Sequence, residues 1–144
     1  MDALDKRTHK LLRAAIHRAQ QAFKGGQINL ALRNGESLLN AGNLIGIKSK
    51  DILILAIDTN QNGLFFDARD RILISAEGIT AILDNKCAII KICKDVVVAD
   101  RIKRASKMLG TGQSGMLEAT VNETALKELA KVVMQTIAAV EQRD

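Results

Sequence analysis

The sequence contains almost no aromatic residues. Among its 144 residues there are three Phe, no Tyr and no Trp, which is 2% aromatic content. Proteins that bind single-stranded nucleic acids without sequence preference stack the bases on aromatic side chains, so this composition argues against that mode of binding. Hydrophobic residues still make up 47% of the chain. The core must therefore be built from Leu, Ile, Val and Ala, in one domain or in one domain with a helical extension.

Proline is absent and cysteine is scarce. Without proline, helices and strands run free of that interruption. Cys87 and Cys93 are the two cysteines, His9 and His17 are the two histidines, and the chain has no C-x-x-C pair. A structural zinc site takes four Cys or His ligands at characteristic spacings. We therefore predict no metal site and no cofactor, and two lone cysteines indicate a reducing compartment.

Long apolar runs are also missing. No stretch approaches the ~20 residues that a membrane-spanning helix requires, and the opening segment MDALDK lacks the apolar region of a signal peptide. The sequence therefore predicts a soluble, cytoplasmic protein.

The net charge of +5 is distributed in blocks. Residues 1–50 hold nine Lys and Arg against three Asp and Glu, and residues 86–107 hold seven against two. Clustered Lys and Arg can bind the phosphate backbone of nucleic acids, whereas a solvated surface is the alternative interpretation. An anionic membrane is disfavoured as a partner because the apolar side of the first helix is largely Ala and lacks Trp. The candidate phosphate-contacting residues in blocks 6–24 and 86–107 are Lys6, Lys10, Arg13, Arg101, Lys103, Arg104 and Lys107.

Both ends of the chain have helical periodicity. Over residues 2–24 apolar residues recur at Leu12, Ile16, Ala19 and Phe23. A second helix is predicted over 28–41, closed by Gly42-Asn43, so that residues 1–45 would form a helical hairpin outside the main domain. Near the C-terminus, Asn122 is a natural N-cap for a helix. Its apolar stripe consists of Leu126, Leu129, Val133, Ile137 and Val140.

The middle of the chain consists of short apolar runs at hairpin spacing. Strands are predicted over 51–58, 64–75 (as one strand or two), 79–83, 87–93 and 95–100, with turns at 59–63, 76–78 and 84–86. Residues 101–109 fit either a short helix or a basic strand, and 117–121 fit one last strand. The predicted class is α+β, with a small antiparallel sheet or partly open barrel and a packed C-terminal helix in a domain over 46–144.

Two stretches have the composition of a chemical site. Gly110, Gly112 and Gly115 have G-x-G-x-x-G spacing, but Met116 and Leu117 stand where a phosphate loop needs Lys and Ser or Thr. This stretch is therefore interpreted as a polar loop. The segment DARDR, residues 67–71, alternates Asp and Arg as an exposed strand face would, with the carboxylates paired to the arginines. Neither stretch supports catalysis, and we do not predict an enzyme.

Part of the strand region is similar to a known family. The segments ILAIDT (54–59), GL (63–64), DRIL (70–73) and SAEGI (75–79) resemble the opening of bacterial pleckstrin-homology-like domains, and LKELAKVVMQTI resembles their C-terminal helix. The pattern departs at Ala68, where a Thr is usual. The resemblance covers residues 51–142 loosely and implies a binding or assembly module, often oligomeric, without shared catalytic residues.

These observations lead to one functional expectation and one alternative. We expect a non-enzymatic interaction module that associates with itself or with a protein partner through helical surfaces. The predicted interface residues are Leu12, Ile16, Phe23, Val133 and Ile137. The alternative is a nucleic-acid-binding protein that uses the two basic blocks.

Overall fold

The structure, a computed structural model, describes residues 6–23, 28–29, 31–41, 43–50, 52–59, 63, 65, 67–107 and 123–143. It confirms the predicted α+β class, with a helix at each end of the described chain and an antiparallel sheet between them. The elements in chain order are α1 (Lys6–Ala22), β1 (Ser37–Ala41), β2 (Leu44–Lys48), β3 (Ile52–Ile57), β4 (Arg71–Ala76), β5 (Ile79–Leu83), β6 (Ile89–Lys94), α2 (Val96–Lys107) and α3 (Glu123–Glu141).

The six strands form an open antiparallel sheet in which spatial order follows chain order, with β1 and β6 at the two edges. Short connections fix this arrangement. Two residues separate the paired Ala41 and Leu44, and Glu77-Gly78 joins β4 to β5 with φ values of 42° and 81°. Positive φ at both central residues is the hairpin turn that matches strand twist, as the AEG signal at 76–78 predicts. The sheet does not close, in agreement with the predicted antiparallel sheet or partly open barrel.

Helices cover both faces of the sheet. Helix α1 packs over the central strands β3 and β4 on one face, and α2 and α3 pack together on the other. Each face therefore buries its own cluster of aliphatic side chains. This explains why β3 is an unbroken apolar run and why every residue of β5, including Thr80, is buried, since a strand covered on both faces has no solvent-facing side. Fully burying one such Leu or Ile contributes about 1.5–3 kcal/mol.

The second helix of the predicted N-terminal hairpin is not found, because residues 37–41 form strand β1. Asn34-Gly35 forms a turn, with Gly35 at φ 83°, and the leucines that follow alternate between the two sides of the sheet. Leu39 is buried against α3's side of the sheet, whereas Leu38 is exposed. Strand β1 is part of the six-stranded sheet, α1 packs on that sheet, and the predicted boundary at residue 45 falls inside β2.

The predicted strand over 95–100 is also wrong, because these residues begin helix α2. The Asp95 carboxylate accepts hydrogen bonds from the backbone N–H groups of Val97 (2.9 Å) and Val98 (3.3 Å), which is an N-cap arrangement. Ala99, Ile102 and Ala105 then form the buried stripe of α2. Tertiary packing of that stripe outweighs the strand preference of three consecutive valines. The ambiguous segment 101–109 is accordingly helical as far as Lys107.

The predicted strand over 64–75 begins only at Arg71. Residues 67–70 form a turn, in which the N–H of Asp70 donates to the carbonyl of Asp67 at 3.1 Å. Asp70 is buried and Arg71 pairs with Glu141 of α3 at 3.2 Å. The expected alternating, exposed face of the DARDR segment is therefore wrong. The predicted glycine loop and the predicted strand over 117–121 lie outside the described residues.

Candidate functional site

The last strand of the sheet, β6, has an unusual exposure pattern. It follows a turn that Asp84 organises by accepting hydrogen bonds from the N–H groups of Lys86 (2.8 Å) and Ala88 (2.9 Å). The strand pairs with β5 on one side, and among the described residues no strand pairs with its other side. It therefore presents an unpaired row of backbone groups, the feature by which edge strands recruit further strands.

Large aliphatic side chains line this edge. The exposed fractions are 51% for Ile89, 40% for Ile90, 42% for Ile92, 75% for Val96 and 70% for Val97. We call these five side chains the β6 surface. They lie within nine consecutive residues, whereas scattered single apolar residues are the norm on a protein surface. Such a concentration of exposed apolar side chains favours an interaction site.

The register with β5 shows on which face these side chains lie. Ile92 is opposite Ala81, and Ile89 is opposite Leu83, and both partners belong to the cluster under α1. Ile89 and Ile92 are therefore on the α1 face of the sheet, outside the area that α1 covers over β3 and β4. The register shifts between Ile82 and Leu83, so Ile90 is the extra residue of a β-bulge, a feature that marks sheet edges.

The end of α3 holds the start of α2 next to this strand. The Arg143 guanidinium contacts both the Asp95 carboxylate (3.1 Å) and the Cys93 sulfur (3.1 Å). The N–H of Val98, Arg143 and the N–H of Val97 together lower the pKa of Asp95 below its ordinary value. Asp95 therefore remains an anionic cap at neutral pH, and it fixes the exposed Val96 and Val97 beside the end of β6.

Lys91 and Lys94 interrupt the isoleucines of β6. Charged residues of this kind limit uncontrolled edge-to-edge pairing. The same two lysines also select among the registers in which β6 can pair with another strand, because like charges placed directly opposite each other are destabilising. The β6 surface thus combines apolar area, free backbone hydrogen-bonding groups and a charge pattern that distinguishes one register from another.

The residues predicted as an interface from helical periodicity lie in the chain's own core. Leu12 and Phe23 are buried under α1, and Val133 and Ile137 are buried under α3. Ile16 is partly buried against the α1-face cluster. Their periodicity marks the sides on which the two helices dock on the sheet. Among the described residues, five of the eight exposed large aliphatic side chains belong to the β6 surface, and the other three are Ile28, Leu32 and Leu38.

The predicted phosphate-contacting residues are exposed but fall into two separate groups. Lys6, Lys10 and Arg13 lie on α1, and Arg101, Lys103, Arg104 and Lys107 lie on α2. Because α1 and α2 cover opposite faces of the sheet, the two blocks do not combine into one surface. Arg104 is also paired with Asp100 at 2.7 Å.

The groups that most often carry chemistry are dispersed. Both cysteines are free and buried, and burial, with the Asp84 carboxylate, raises the pKa of the Cys87 thiol, which disfavours the nucleophilic thiolate. His9 and His17 are exposed on α1. In the part of the chain that the structure describes, no three His, Cys, Asp or Glu side chains are grouped so that they could hold a metal ion.

Sequence reasoning missed the β6 surface. The available signal was the concentration of Ile and Val over residues 87–99, which is interrupted only by Lys91, Lys94 and Asp95 among its charged residues and exceeds what a strand with one solvent-facing side needs. Of the helices formed by the described residues, none is both long enough and apolar enough to cross a membrane.

Comparisons of the chain with protein-family models, with curated proteins and with solved structures find no match. The resemblance of residues 51–142 to bacterial pleckstrin-homology-like domains therefore stays a prediction.

Proposed function

We propose that this protein is a non-enzymatic assembly module that pairs with a second copy of itself through the β6 surface. One observation carries the proposal, namely the five exposed aliphatic side chains on and beside the free edge strand. Edge pairing supplies main-chain hydrogen bonds, and the apolar side chains supply buried area. A second copy satisfies both requirements at once, because the pairing is symmetric.

The charge pattern of β6 favours a particular register. In an antiparallel pair centred on Ile92, each Ile92 lies against its own copy. Lys91 is then opposite Cys93, and Lys94 is opposite Ile90, so each lysine faces an uncharged residue. A pair centred on Lys91 would set two lysines against each other. The proposed dimer is therefore a continuous twelve-stranded sheet with Ile92 at the two-fold axis.

The test is the oligomeric state of matched variants. We expect the natural protein to sediment as a dimer at about 100 µM and Ile92→Lys to sediment as a monomer, because the substitution places two cations together at the axis. Leu38→Lys is the control, since Leu38 is 48% exposed on the opposite edge strand, β1, and it should remain dimeric.

Three results would contradict the proposal. The first is a natural protein that is monomeric in this concentration range. The second is an Ile92→Lys variant that associates as strongly as Leu38→Lys. The third is a monomer that shifts nucleic acid in a gel with an affinity that falls steeply as salt rises, which would favour the basic blocks of α1 and α2 instead.

A further inference from the structure

Helix α1 has an unusual charge pattern. Its 17 residues, KRTHKLLRAAIHRAQQA, include five Lys and Arg and neither Asp nor Glu. Two of these cations are used inside the chain, since Arg7 pairs with Glu77 and Arg18 pairs with Glu36, each at 2.9 Å. Among the described residues, no carboxylate pairs with the remaining three, which are Lys6, Lys10 and Arg13. These three side chains are therefore available to an anion from outside the chain.

The three unpaired cations lie along the outer side of α1. Positions 6, 10 and 13 have the four- and three-residue spacing that places side chains on one helix face, and all three side chains are exposed. The buried stripe of the same helix, which includes Leu12 and Ala15, lies on the opposite side against the sheet. At a rise of about 1.5 Å per residue, the cations extend over about 10 Å of the helix. We call Lys6, Lys10 and Arg13 the α1 ridge.

Helix stability does not explain the α1 ridge. The N-terminal end of a helix carries a partial positive charge, so a cation such as Lys6 in the first turn is unfavourable by about 0.3–1 kcal/mol. No acidic residue in that turn offsets it. Lys6 and Lys10 are also like charges four residues apart, which costs a further ~0.2–0.5 kcal/mol. A set of residues that breaks local rules without compensation inside the chain indicates a role outside folding.

The basic residues of α2 differ in this respect. Arg104 and Lys107 lie in its last turn, where cations complement the negative end of the helix, and Arg104 is paired with Asp100 at 2.7 Å. Lys48 adds a further cation at the same end, because its amine donates to the carbonyl of Ser106 at 3.1 Å. The stability of α2 therefore explains these charges, whereas the stability of α1 does not explain the ridge.

The surroundings of the α1 ridge indicate which kind of anion it fits. Binding to an anionic membrane uses large apolar side chains beside the cations, and a protein interface is anchored by buried aromatic or aliphatic side chains. All exposed large aliphatic side chains of the described residues lie outside α1. A nucleic-acid duplex instead presents one negative charge per about 1.7 Å of its axis, which a row of cations can follow without any apolar area.

We propose that the α1 ridge binds the phosphate backbone of double-stranded nucleic acid without reading its sequence. Lys6, Lys10 and Arg13 donate to phosphate oxygens, and such contacts carry no sequence information. Stacking of unpaired bases requires exposed aromatic side chains, but of those that the structure describes, Phe23 is buried and Phe65 is partly buried. This binding is separate from the proposed self-association, which uses β6.

The test measures the fluorescence anisotropy of a labelled DNA duplex of about 15 base pairs as the full chain is added, over a series of salt concentrations. For three phosphate contacts, log K should fall with log salt with a slope of about −2.7, so binding weakens about 40-fold between about 50 and about 200 mM salt. The double variant Lys10→Ala, Arg13→Ala should reduce the slope to about −0.9 and weaken binding at low salt at least about tenfold. Its fold should be retained, because Ala favours helices, and denaturant titration checks this.

The double variant Arg101→Ala, Lys103→Ala is the matched control. It removes the same two charges from exposed positions on α2, on the opposite face of the sheet, and it should keep the natural slope and bind within about twofold of the natural protein. The proposal is overturned if the natural protein does not bind the duplex, if the two double variants weaken binding equally, or if polyglutamate binds more tightly than the duplex.

The two proposals of this article's molecule fail separately, because sedimentation reports self-association and anisotropy reports the α1 ridge. A natural protein that sediments as a monomer and still binds the duplex would contradict the proposed dimer and support the α1 ridge. A dimer that does not bind the duplex would support the assembly function and overturn the α1 ridge.

Discussion

The two edge strands of the sheet are held in different ways. At the β1 edge, the segment before the strand is clamped to α1, because the Arg18 guanidinium donates to both carboxylate oxygens of Glu36 at 2.9 Å and to the Ala31 carbonyl at 3.0 Å. At the β6 edge, three isoleucines and two valines remain exposed. Both edge strands have a side that no described strand pairs with, but polar contacts inside the chain hold the segment before β1, whereas more large apolar side chains are exposed on and beside β6.

This difference indicates where stability and binding are located. One row of cross-strand neighbours runs across the whole sheet. It begins with the pair Leu39 and Gly46 at the β1 edge and ends with the pair Ile82 and Lys91 at the β6 edge. The β1 end of this row is packed so closely that an added methyl group does not fit. The β6 end carries a partly exposed lysine. Substitutions at the two ends of the row should therefore have very different costs.

The largest effect is expected for Gly46→Ala. A Cβ at this position would overlap the carbonyl oxygen of Ile54 and lie 2.9 Å from the Cα of Leu55, both of which are backbone atoms that cannot move without disturbing β3. We expect a loss of about 3 kcal/mol in the free energy of unfolding, measured by urea denaturation at one protein concentration.

Lys91→Ala is the comparison for Gly46→Ala, since it lies in the same cross-strand row. Its free energy of unfolding should stay within about 0.5 kcal/mol of the natural value. Equal losses in the free energy of unfolding for Gly46→Ala and Lys91→Ala would show that the two ends of this row are packed equally tightly.

The next effect concerns the ion pair at the β1 edge. The Arg18 guanidinium, opposed by burial, holds the pKa of Glu36 at about 2, and both side chains are almost nine-tenths buried. Because the folded pKa lies below the ordinary value of 4.5, the pair stabilises the fold above about pH 4.5. That contribution is lost as the pH falls toward about 2.

Glu36→Gln tests this linkage. It keeps an acceptor for Arg18 but removes the charge, so we expect a loss of about 2 kcal/mol at pH 7. The difference in the free energy of unfolding between Glu36→Gln and the natural protein should shrink as the pH falls from about 4.5 to about 2. Denaturant titration of both proteins at each pH measures this difference. A difference that stays constant over this range would contradict the assignment of the low pKa to Glu36.

The sequence predicts the centre of the fold better than its edges. Strands β3 and β5, the Glu77-Gly78 turn and helix α3 follow directly from apolar runs, turn residues and a capped amphipathic stripe. Strand β1 was mistaken for a helix because Leu38 and Leu39 fit either period, and only the packing of Leu39 against the α3 side decides between them. The start of α2 resembles a strand because Val96, Val97 and Val98 favour strands, and only the packing of the buried side of α2 makes the N-cap signal of Asp95 decisive.

The candidate site was harder to predict for a related reason. Helical periodicity correctly marks apolar surfaces, but it does not distinguish a surface that docks on the same chain from one that meets a partner. Val133 and Ile137 therefore appeared as interface residues although the sheet buries them. The exposure of Ile89 and Ile92 depends on how far α1 extends across the sheet, which is a tertiary property.

The smallest effect is expected at the β6 edge itself, and it separates binding from folding. Ile89 is 51% exposed, so Ile89→Thr removes little area that folding buries, and Thr keeps the β-branched shape that suits a strand. In an Ile92→Lys background, where the chain is expected to be monomeric, Ile89→Thr should change the free energy of unfolding by less than about 0.5 kcal/mol. In the natural background it should weaken the dimer, which a sedimentation concentration series measures. If Ile89→Thr instead destabilises the monomer by more than about 1.5 kcal/mol, its side chain belongs to the folded core and the contrast between the two edges does not hold.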